Sequence, residues 1–191
     1  MGEVELRQLR WRIVAAARRL SVARGSALEL PAAEVLEAAE VSKSDFAAAF
    51  ADRRAFLLAQ LLDFLDLARG DAVNSLANAP PGISRIATAF QRYWDANLRW
   101  RPMRELAMHF RGDPEGAEIL RARLHGVIMI AQHELAAIGW PHPAATARLA
   151  ASLCVETAVA EFEAGKPLPE MRYAALAYFR EPKPMGQSAK P

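Results

Sequence analysis

The chain has 191 residues, 52% of them hydrophobic and 24% charged, with a formal net charge of only +2. That balance suits a globular protein with a real core, and it lacks the broad positive field that would by itself announce a nucleic-acid partner. The single cysteine, Cys154, excludes an intrachain disulfide, and no run approaches the roughly 18 apolar residues of a membrane span. Met1 to Arg12 carries charges throughout and has no apolar core of signal-peptide length. A cytoplasmic protein with no membrane partner is therefore expected.

Alanine is abundant and β-branched residues are scarce within the long runs, which favours helix because alanine gives up no side-chain entropy there. Leu6, Leu9, Ile13, Ala16 and Leu20 recur at helical spacing, and Gly25 is placed to end that helix. Pro31 suits the start of a short second helix, Ala32 to Ala38. Ala39, Glu40 and Val41 form a tight connection. Ser42 is a good N-cap for a third helix, Lys43 to Phe50, and Asp52 for a long fourth that runs to about Leu76. Asn78, Pro80, Pro81 and Gly82 break the chain.

Further helices are expected from Ile83 to Trp100, from near Met103, from Glu115 to Ile138, from Ala144 to Ala164 and from Glu170 to Phe179. Proline and low apolar content in residues 181–191 predict a disordered tail. No segment alternates as a strand. The fold class is thus all-α, with an N-terminal three-helix helix-turn-helix domain and a C-terminal bundle of about five or six helices. The expected division is a head at 1–54, a connecting helix at 52–76, and a body at 55–180.

The run VLEAAEVSKSDFAAAFADRRAFLLA, starting at Val35, resembles the head of TetR-family transcriptional regulators. Val35, Ala38, Ala39, Val41, Ser42, Phe46, Phe50, Leu57 and Leu58 occupy that family's structural positions without a gap. The resemblance covers about the first 65 residues by motif and implies a recognition helix that enters the major groove. The sequence departs from the family at positions that meet DNA. Glu40 stands at the turn glycine, Ala47 and Ala49 at the tyrosine and histidine of the recognition helix, and Pro31 and Ala33 at helix-two Thr and Arg positions. The DNA-contacting set implied here is Ser42, Lys43, Ser44, Asp45 and Ala47, joined by Arg53 and Arg54. Residues 1–54 hold nine Lys and Arg against eight acids, so double-stranded operator DNA would need those cations gathered on one face.

The resemblance further implies a body that binds a small molecule and dimerises through its last two long helices. Phe90, Tyr93, Trp94, Asn97, Met103, Met108 and His109, with His125, Met129 and Gln132, are the candidate pocket for a small, mostly apolar ligand. Arg104 and His133 stand in the same segments. The alanine-rich helix from Ala144 allows close helix approach, so a homodimer through Leu149, Leu153, Tyr173, Leu176 and Tyr178 is expected.

The four histidines are not paired at i,i+4, and no Cys/His cluster has metal spacing. No cofactor, metal or catalytic residue is expected, and the chain does not read as an enzyme. The leading function is a ligand-responsive regulator, in the sense of a repressor, binding a pseudo-palindromic operator as a dimer. The alternative is a TetR-like small-molecule or protein-interaction module whose degenerate head no longer binds DNA.

Overall fold

The computed structural model describes residues 2–74, 76 and 82–179, and among them every long regular element is an α-helix. In chain order these are α1 (Glu3–Arg24), α2 (Ala32–Ala39), α3 (Lys43–Ala49), α4 (Arg53–Asn74) and α5 (Ile83–Arg99). They are followed by α6 (Arg101–His109), α7 (Pro114–Ala137), α8 (Pro143–Ala164) and α9 (Pro169–Ala177), with a 3-10 turn at Phe110–Gly112 before α7. The all-α expectation holds, and the helix ends fall close to those read from capping and breaker residues. The proline break at Pro80 and Pro81 and the expected tail at 181–191 lie outside the described residues.

The chain packs as two compact units, one within Met1–Gly70 and Ala96–Arg123 and the other within Asp71–Asp95 and Leu124–Pro191. In the first unit, Ile13, Ala16 and Ala17 of α1 pack on Val35, Phe50 and Phe56 to form a small head core. Phe46, Phe50 and Phe56 close it with tilted and edge-on ring contacts at 5.2–5.4 Å between centroids. Gly25 ends α1 in the left-handed conformation that only a residue without a Cβ adopts freely.

The end of α2 places a side chain in the same kind of position. Glu40 has φ 53° and ψ 50°. Its amide donates to the Glu37 carbonyl at 3.1 Å, and the Val41 amide donates to the Leu36 carbonyl at 3.1 Å. These are the two bonds of a Schellman cap, which glycine normally serves. The turn keeps its shape despite the glutamate, at a strain of roughly 1–2 kcal/mol. Glu40→Gly is therefore expected to stabilise the chain. The gain is about 0.5–1 kcal/mol once the greater freedom of unfolded glycine is subtracted. Thermal unfolding should show it as a Tm about 1–3 °C higher, and an unchanged or lower Tm would contradict the strain.

A second core in this unit joins α4 to α6: Leu57, Leu61 and Phe64 pack with Met103, Leu106, Ala107 and Phe110. Leu62, next to Leu61 on α4, is turned away from this core and is 37% exposed. Arg18 grips Asp63 with both oxygens of the carboxylate, at 3.0 and 3.1 Å. Burial nevertheless pushes the Asp63 carboxyl up, outweighing the nearby guanidinium.

In the second unit, Trp94, Phe90 and Ile86 pack with Leu135, Ala147, Ala150, Cys154, Ala158 and Phe179. The Trp94 indole donates to the Cys154 carbonyl at 2.9 Å. Cys154 is buried and takes part in no disulfide. Glu134 accepts from the Gly82 amide and from Arg85, each at 2.8 Å. The amide bond and the guanidinium together hold its carboxyl below the usual glutamate range. No helix among the described residues is long and apolar enough to cross a membrane.

Candidate functional site

On the head, Ser42, Lys43, Ser44 and Ala47 are exposed, whereas Asp45 and Phe46 are half-buried and Ala49 is buried. Ala49 thus belongs to the core, whereas Ala47 and Ala48 face outward with Lys43 and Ser44. The start of α3 is fastened locally. The Asp45 amide donates to Ser42 Oγ at 3.1 Å, while the Ser42 amide donates to Asp45 Oδ2 at 3.0 Å, a reciprocal capping box. The hydrogen bonds from Ser42 hold the Asp45 carboxyl below its ordinary range. Ser42 and Ser44 also share a bond at 2.7 Å. Ser42 and Asp45 therefore serve the helix first, and Lys43 and Ser44 present the polar atoms of this edge.

The head arginines are occupied by the fold. Arg10 donates to the Ala49 carbonyl at 2.8 Å, closing the end of α3. Arg12 donates to the Ala39 and Glu40 carbonyls at 2.9 and 3.1 Å, closing the end of α2. Arg19 reaches the Ala38 carbonyl, and Arg24 pairs with Glu34 through two bonds at 2.5 and 3.0 Å. Arg53 donates to the Leu28 carbonyl at 2.6 Å, and Arg54 pairs with Asp113 at 2.7 Å and Glu115 at 2.8 Å. Those two acids raise the Arg54 pKa, and the guanidinium in return holds Asp113 down. Arg7 pairs with Glu3. Among the described residues, Lys43 is the head cation with no hydrogen-bond or ion-pair partner. Cations near a helix C-terminus complement its partial negative charge, which accounts for Arg10, Arg12 and Arg19 without any ligand.

A contact that sequence reasoning missed ties the head to α6. Glu105 Oε1 accepts from Ser26 Oγ at 2.6 Å, from the Leu28 amide at 2.7 Å and from the Ala27 amide. The Ala27 amide also reaches the Pro102 carbonyl at 3.1 Å. One carboxylate oxygen thereby gathers the α1–α2 loop. Its partners lie 77 to 79 residues away in sequence, so no local pattern could reveal it.

The ten candidate pocket residues divide between the two units. Phe90 and Trp94 are buried in the second unit with Tyr93 packed beside them. Met103 is fully buried in the first unit, where Asn97 is also buried and Met108 half-buried. His109, His125 and Met129 are exposed, and Gln132 is half-buried. The edge-on contact of His109 with Phe110, 4.9 Å between centroids, holds that imidazole at the surface. On α8 and α9, Leu149, Leu153, Tyr173 and Tyr178 are exposed, while Leu176 packs on the second unit's core. Among the described residues no group of three His, Cys, Asp or Glu side chains could hold a metal ion.

With this geometry the fold can be compared with solved structures. It is similar to the crystal structure of a transcriptional regulator from Rhodococcus sp. Rha1, at a TM-score of 0.71 and 18% identity over 88% of this chain and 92% of that one. It is also similar to a crystal structure from Rhodococcus sp. named as a TetR-family transcriptional regulator, at a TM-score of 0.69 and 16% identity over 90% of this chain and 96% of that one. The chain has a TetR-like fold, all-helical among the described residues. No known family's sequence profile matches it, and no curated protein matches it by sequence.

Proposed function

We propose that the protein is a DNA-binding transcriptional regulator that acts as a dimer and responds to a small, largely apolar ligand. In this reading residues 1–54 read a pseudo-palindromic operator, and the remainder up to 180 binds the ligand and dimerises. The observation that carries it is the outward edge of α3, where Lys43 stands exposed with no internal partner among the described residues and Ser44 and Ala47 lie beside it. A fold-wide likeness to two transcriptional regulators supports the same reading.

The test is fluorescence anisotropy of the full chain on its own upstream DNA across a salt series. Specific binding with a steep salt slope is expected. Lys43→Ala should weaken it by about tenfold or more and flatten the slope, with no change in Tm because the side chain is exposed and unbonded. Exposed Leu149 and Leu153, one turn apart on α8, and Tyr173 on α9 support dimerisation through these helices. Sedimentation should then report twice the chain mass.

A second reading rests on the engagement of every head arginine within the fold. If the chain does not bind DNA even at low salt, the head is a scaffold and the protein works through its ligand or a protein partner.

A further inference from the structure

Three side chains in the first unit carry polar atoms that are buried without a hydrogen-bond partner. The Gln60 side chain is fully buried, and neither its oxygen nor its nitrogen makes a hydrogen bond. Arg104 is 5% exposed, its Nε is sealed and unbonded, and no carboxylate among the described residues pairs with it. The indole Nε1 of Trp100, one turn earlier at the start of α6, is likewise buried and unbonded. Native interiors pair nearly all such atoms.

Their surroundings specify what would satisfy them. Gln60 lies on α4 among Leu57, Leu61 and Phe64, and Arg104 lies on α6 beside Met103 and Ala107, all members of one core on which Trp100 also packs. Around this aliphatic and aromatic core the chain offers a guanidinium, an indole N–H and a primary amide. The core contains no acid of its own, because the adjacent Glu105 is directed to the α1–α2 loop.

We propose that this core binds an amphiphilic carboxylate, its charged end on Arg104 with Trp100 and Gln60, and its apolar remainder along Leu57, Leu61 and Phe64. This names the chemistry of the ligand in the function proposed above and rests on that reading. Arg104 and Glu105 are consecutive on α6, so an anion that draws Arg104 also acts on the residue that holds the head loop. A planar fork of N–H donors suits a carboxylate better than any neutral group.

The test is the thermal shift of the full chain with about 1 mM octanoate or 3-phenylpropanoate, each compared with its neutral amide. Either carboxylate is expected to raise Tm by about 3–5 °C while its amide does not. Arg104→Met should remove the response yet still melt cooperatively, since it keeps an unbranched apolar side chain in this core. Arg104→Lys should keep a reduced shift. No carboxylate response, an equal response to the amides, or an undiminished response in Arg104→Met would each overturn the proposal. DNA binding reports independently: carboxylate shifts without DNA binding would sink the regulator reading alone, and specific DNA binding without carboxylate shifts would sink this one alone.

Discussion

Arg172→Ala is expected to destabilise the protein by about 3–5 kcal/mol, the loss typical of stranding one member of a buried ion pair. Glu161 is 1% exposed. Arg172 meets it with two nitrogens, Nε at 2.6 Å and Nη2 at 2.9 Å, and the Leu168 amide adds a third bond at 2.8 Å. The same guanidinium reaches Asp95 at 2.7 Å and lies over the Trp94 ring at 5.4 Å. Its acidic partners raise its pKa, with the Glu161 bond the largest influence. Removing it leaves the Glu161 carboxylate in the core with the Leu168 amide as its remaining described partner, and it unfastens α9 from α8 and from the end of α5. Urea unfolding followed by circular dichroism measures the change. The double variant Glu161→Met with Arg172→Met should recover most of the loss, because the charge is then no longer stranded. A single variant within 1 kcal/mol of wild type would mean that Glu161 reaches water when its partner is gone.

Glu105→Ala is expected to lower stability by about 3 kcal/mol, because three donors lose one charged acceptor together. The α1–α2 loop should respond more than the rest of the chain. Hydrogen exchange at the Ala27 and Leu28 amides should accelerate well beyond the global change, whereas the α2 and α3 amides follow the global stability. Glu105→Gln keeps the acceptor oxygen and should lie between the two. If Ala27 and Leu28 exchange no faster than their neighbours in Glu105→Ala, the loop is held by its own packing and by the Pro102 carbonyl alone.

Short-range physics made most of the fold legible in the sequence. Gly25 and Ser42 mark helix ends because capping depends on residues within one turn, and the structure uses both of them in that way. The apolar period of the first helix identified Leu9, Ile13 and Ala16 as core. What escaped is what depends on through-space partners. Nothing near Arg10 or Arg12 in sequence says that they will close the ends of other helices, and counting them as free cations overstated the charge available to a ligand. Glu40 shows the opposite limit: the sequence places it at the turn glycine, but only the backbone reveals that the turn kept its shape. Of the residues singled out for aromatic and methionine content, Met103 and Trp94 are buried while His109, His125 and Met129 are exposed, because composition does not report which side of a helix faces inward.

The engagement of the head arginines has a consequence for genetics. If the chain regulates a promoter as proposed, then in a screen for variants that have lost that regulation, changes at Arg10, Arg12 and Arg53 would surface chiefly as reduced abundance in the cell, since they unfasten helix ends and loops and expose the chain to proteolysis. Changes at Lys43 would leave the amount of protein untouched. Immunoblotting each hit would therefore sort the collection into folding lesions and recognition lesions before any promoter is assayed.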